Sequence, residues 1–127
     1  MHRSRLAGFI IDCQLVSPDA LRPAAQFWSA ALGLAVLGPD GPNYERLDGS
    51  AHHLTIEVQQ VDHPSRVHLD LETDNVEAEV QRLERLGATR VKQGLRWWVL
   101  QAPTGHRFCV VQARQDLTDA PGVQVWG

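Results

Sequence analysis

The residues of this 127-residue chain with chemical potential are His68, Glu57, Asp12, the cysteines Cys13 and Cys109, and the adjacent pair Trp97-Trp98. If Glu57 and His68 face one enclosed space, they can serve as a general base and its partner, because an enclosed carboxylate tends toward a raised pKa. The plainer readings are a strand histidine hydrogen-bonded to a neighbour and a glutamate on the solvent side of an alternating strand. Asp12 is an acid inside the apolar run Phe9 to Val16. Two cysteines do not make a secreted disulfide framework, and two buried thiols are the simplest account of them. Neighbouring strand residues point to opposite faces, so one of Trp97 and Trp98 enters a cavity or core while the other meets the helix layer or solvent. With Phe27, Trp28 and Tyr44 they compose an aromatic wall for a planar or hydrophobic ligand, core packing being the alternative. His52-His53, His63 and His106 lie beside turns, where a surface position is the default.

The elements that must position these residues come in two similar sets. Gly8 to Val16 reads as a largely buried strand, and Ser17-Pro18-Asp19 breaks it. Leu21, Ala24, Ala25, Trp28 and Leu32 then recur at helical spacing up to Gly33, with Pro23 expected in the first turn, where its missing N–H costs nothing. Strands follow at Leu34 to Leu37, Asn43 to Leu47 and His53 to Val61. The second set runs through a strand at Val67 to Leu71, a helix from Asp74 to Leu86, and strands near Thr89 to Lys92, Trp97 to Gln101 and Phe108 to Ala113. Asp74 and Glu77 suggest a capping box, and Val76, Val80, Leu83 and Leu86 a single apolar stripe. Asp19 to Asp74 and Gly33 to Gly87 are nearly equal spacings close to half the chain, which points to duplication. Two such modules, about residues 8–61 and 66–113 with a tail at 114–127, predict one α+β domain: a curved mixed sheet around a central cleft, and a cleft is where small molecules bind. A ferredoxin-like sandwich would leave the additional strands unplaced.

Composition narrows the function classes. A net charge of −3 gives no electrostatic footprint for nucleic acid. No uncharged apolar run reaches the roughly 18 to 20 residues that span a bilayer. The basic start, Met1-His2-Arg3-Ser4-Arg5, leads into an apolar stretch broken by Asp12 and without a cleavage site, so a cytoplasmic protein is expected.

The pattern Phe27-Trp28-Ser29-Ala30-Ala31-Leu32-Gly33, Val67-His68-Leu69-Asp70-Leu71 with Asp74, Leu86-Gly87-Ala88, Trp98-Val99-Leu100, Pro103-Thr104-Gly105 and Phe108-Cys109-Val110 resembles the glyoxalase-like branch of the vicinal oxygen chelate superfamily. The resemblance covers roughly residues 8 to 113. It implies paired β-α-β-β-β modules, a homodimer, and a small-molecule ligand in the inter-module cleft. It also implies a divalent ion held by the first and last strand of each module. By position, His68 opens the second module's set, Glu57 closes the first's, the opening position of the first falls on Asp12 or Cys13, and the last falls on Cys109. With Cys109 where a carboxylate belongs, iron-type oxygen activation is not expected, whereas Cys13, Glu57, His68 and Cys109 together suit zinc. The expected activity is a lyase or isomerase acting on a carbonyl compound, with Glu57 and His68 catalytic and Trp97, Trp98 and Phe27 on the ligand. The alternative is a metal-free drug-binding protein of the bleomycin-resistance type.

Overall fold

A computed structural model describes residues 1–127 as an α+β fold of nine strands and two α-helices. Contacts divide it into two compact units, one of residues Gly8–His68 and the other of Met1–Ala7 with Leu69–Gly127. The first strand, β1 (His2–Gln14), begins earlier than the apolar run and supplies its two ends to different units.

In the Gly8–His68 unit β1 leads to a 3-10 turn at Pro18–Ala20, then α1 (Leu21–Leu32), β2 (Val36–Pro39), β3 (Tyr44–Leu47) and β4 (Thr55–Val61). Ser17, with its hydroxyl accepting from the Asp19 amide, caps the entry, so Asp19 lies inside the turn. Pro23 falls in the first turn of α1, and Gly33 ends the helix at φ 71°, a left-handed conformation that glycine adopts without penalty. Strand order is β2-β3-β4-β1, antiparallel except for the parallel pair β4 and β1. Ile11, Cys13, Ile56, Val58 and Leu47 bury one sheet face against Leu21 and Ala25 of α1.

The same order repeats with β5 (Arg66–Thr73), whose residues from Leu69 onward belong to the other unit, α2 (Val76–Arg85), β6 (Thr89–Gln93), β7 (Trp97–Gln101) and β8 (Arg107–Gln112). Here β8 runs parallel to β5, and β6, β7 and β8 are joined antiparallel. Val80 and Leu83 of α2 pack with Ala88, Leu100 and Val110. Two local readings are corrected. The helix cap is Asn75, whose side chain accepts from the Ala78 amide, while Asp74 accepts from the Arg3 amide at 2.8 Å. Leu86 leaves the apolar stripe and is exposed, because α2 stops at Arg85. The tail ends in β9 (Gln124–Trp126), which docks on the chain by pairing antiparallel with His2–Ser4 of β1. No helix is long and apolar enough to cross a membrane.

Candidate functional site

Strand alternation sorts the candidate residues by face. In β1 the side chains of Ile11 and Cys13 pack under α1, so Ile10 and Asp12 point to the opposite face, where both are also buried. The parallel register sets Glu57 beside Ile10 and Gln59 beside Asp12, and the antiparallel register sets Arg46 beside Glu57 and Tyr44 beside Gln59. Residues paired in this way share a face. Glu45, one step along β3, accepts from Arg22 of α1 at 2.6 Å, which confirms that the helix lies on the other side.

On this face, away from α1, His68 and Asp12 form a close pair. His68 Nδ1 lies 2.6 Å from Asp12 Oδ2, and the Asp12 residue is only 2 % exposed. A carboxylate accepts, so Nδ1–H donates, and in neutral imidazole the lone pair then sits on Nε2. The same Asp12 oxygen lies 3.9 Å from the Arg66 guanidinium, while Asp12 Oδ1 is buried with no hydrogen-bond partner. A buried carboxylate needs compensation, and the His68 bond with the Arg66 charge provides part of it. Glu57 is buried on the same face, beyond Asp12 on the neighbouring strand β4.

This settles which residue of the opening strand faces the pair. Asp12 does, and Cys13 does not: its thiol is in the core under α1 and donates to the Ile11 carbonyl at 3.6 Å. Burial, reinforced by the Asp12 charge, pushes the Cys13 pKa up. Phe27 is likewise displaced, standing exposed on α1 with its ring edge-on to Trp28 at 5.2 Å, on the helix side of the sheet rather than the side of His68. Sequence reasoning marked Asp12 as anomalous without assigning it the hydrogen bond to His68. An acid inside an apolar strand was the available signal. Arg66 gave none, since a basic residue at a strand start is ordinary.

In the other unit Cys109 is half-buried on β8, paired with Asp70 on β5 and Val99 on β7, and faces away from the Phe108 and Val110 core under α2. Trp98 packs against that core, with the Arg90 guanidinium 4.8 Å over its ring. Trp97 takes the opposite direction and is 42 % exposed. Both tryptophans border a cleft of about 320 Å³ between the β6–β7 turn and the start of α2.

Two successive β-α-β-β-β units, each with its first strand parallel to its last, define the vicinal oxygen chelate class of α+β proteins. The chain belongs to the glyoxalase-like domain family, whose profile matches residues 10–111. No curated protein sequence matches it. Among solved structures it is similar to a hypothetical protein from Bacillus halodurans C-125, at TM-score 0.64 and 15 % identity over 91 % of this chain and 99 % of that one. Methylmalonyl-CoA epimerase from Mycobacterium tuberculosis gives TM-score 0.64 and 14 % identity over 91 % and 92 %. A variant of homoprotocatechuate 2,3-dioxygenase from B. fuscum gives TM-score 0.59 and 16 % identity over 91 % of this chain and 34 % of that larger one. These likenesses describe the fold.

Proposed function

We propose that this protein is a small-molecule enzyme of the isomerase or lyase type, moving a proton at a carbon next to a carbonyl group. The observation that carries the reading is the 2.6 Å bond from His68 to the buried Asp12. Asp12 holds the imidazole in one tautomer and stabilises the imidazolium that forms when Nε2 takes up a proton. Glu57, on the same face, is the second group for proton transfer. Arg66, beside Asp12, offers a cation to an anionic part of the substrate. An epimerase, such as the methylmalonyl-CoA epimerase of similar fold, must by its chemistry remove and return such a proton.

The residues of this face meet a divalent ion only in part: His68 offers an imidazole held by Asp12, but Asp12 and Glu57 do not gather with it into a three-ligand cluster. The thiolate of Cys13 is not available to such an ion, which weakens the zinc set that included that residue. We read the chain as a single cytoplasmic domain that forms a homodimer, which light scattering tests.

The test of activity needs no knowledge of the product. Acyl thioesters, 2-oxoaldehyde thiol adducts and 2-oxo acids are incubated with protein in deuterated water, and exchange beside the carbonyl is followed by NMR. Exchange with at least one class, reduced on the order of a hundredfold or more in His68→Asn, is the expected result. Saturable binding without exchange in any class would replace this reading by the non-catalytic binder of the bleomycin-resistance type.

A further inference from the structure

We propose that the cleft beside Trp97 is a second small-molecule site, selective for planar aromatic carboxylates of about two fused rings. It shares no residue with the His68 and Asp12 pair and does not depend on the activity read from them. Its floor is set by the β6–β7 turn. A Cβ on Gly94 would lie 2.0 Å from the Trp97 ring, so only glycine lets the indole press on the backbone there. The Gly94 amide donates to the Trp97 carbonyl at 2.9 Å and closes the turn, and the Gln112 amide donates to the Arg96 carbonyl at 3.0 Å, fixing it to β8. The turn is therefore fixed, and the indole lies against its backbone with part of its surface in solvent, where it offers a flat aromatic face to a ligand.

Charge selects the ligand. Arg96 lines the cleft, is exposed, and its guanidinium has no hydrogen bond or ion pair. Glu77 is the acid in the lining, and Arg90 neutralises it through bonds of 2.7 and 3.1 Å. The remaining balance is positive. A guanidinium next to an indole matches a carboxylate carried on a flat ring, because the fork takes two oxygens while the ring stacks. The side-chain amides of Gln93 and Gln112 border the same space and offer further donors. A volume of about 320 Å³ is at the lower end of small-molecule pockets, which fits two rings rather than a large cofactor.

The probe is 2-naphthoate, with 2-naphthamide as its neutral counterpart, titrated into 15N-labelled protein. Saturable shifts are expected at the amides of Gly94, Leu95, Arg96 and Gln112 and at the Trp97 indole, with naphthoate bound more tightly than naphthamide. Arg96→Gln, an exposed change that leaves the fold intact, should weaken naphthoate about tenfold and leave naphthamide within about twofold. Trp97→Leu should weaken both. The proposal is overturned if no saturable shift occurs, if the shifts lie elsewhere, or if Arg96→Gln leaves naphthoate affinity unchanged.

Discussion

Asp12 illustrates how one buried charge controls its neighbours. It bonds His68 on one side of β1 and, one residue along, its field helps keep the Cys13 thiol protonated, though burial does more. Asp12→Asn keeps the shape but removes the charge, and an amide can bond the ring in the wrong tautomer. The expected outcome is a fall in kcat on the order of a hundredfold with a smaller change in KM, read in whichever exchange assay the protein supports. The rise in the Cys13 pKa has its own consequence. In native protein at neutral pH, iodoacetamide should label Cys109 before Cys13, which mass spectrometry of the peptides resolves. Equal labelling would show that the core under α1 opens readily.

At the scale of elements, the approach of β1 to β4 depends on Gly8. A Cβ there would stand 1.7 Å from the Thr55 carbonyl oxygen, which is main chain and cannot swing away. Gly8→Ala should therefore push the two strands apart where their parallel register begins, at Gly8 opposite Thr55. The expected loss is about 2–3 kcal/mol, measured by urea denaturation. The shift would also move Asp12 relative to Gln59, four residues into the same register, so the assay of His68 chemistry should decline with stability. The periodicity of both modules made these strands and helices legible. The caps at Ser17 and Asn75 were less so, because Asp19 and Asp74 carry equally good capping groups and only the chain path selects between neighbours.

For the molecule as a whole, the two chain ends are tied to α2 through a carboxylate. Glu79 is fully buried and accepts from His2 Nε2 at 2.8 Å and from Arg82 at 2.7 and 2.9 Å. Arg82 also lies 3.8 Å over the Trp126 ring, and Trp126 Nε1 donates to Ser4 Oγ at 2.9 Å. Burial alone would raise the Glu79 pKa, yet the bonds from Arg82, His2 and Ser4 outweigh it and bring it down to about 2. A depressed carboxyl stabilises the fold above its unfolded pKa and loses that contribution as pH falls through its folded value. Stability should decline from about pH 4.5 toward pH 2, by on the order of 3 kcal/mol from this group. Glu79→Gln should remove most of that acid dependence while lowering stability at neutral pH, and Trp126 emission should report release of β9. An unchanged acid limb would show that other carboxylates govern it. Nothing in the local pattern of α2 marks Glu79 as buried, since His2 and Ser4, which compensate it together with Arg82, come from the far end of the chain.

The sequence by itself determined the doubled β-α-β-β-β order, the helix stop at Gly33 and the two directions of the Trp97-Trp98 pair, because periodicity, glycine conformation and strand alternation are local properties. It also singled out His68, Glu57 and Asp12. Only the tertiary structure decided that Asp12 rather than Cys13 meets His68, that Phe27 stands on the helix side, and that Glu79 is buried. Each of those outcomes turns on which sheet face lies against a helix and which distant residue supplies a partner. Sequence spacing carries neither, since a shift of one residue exchanges the faces of a strand.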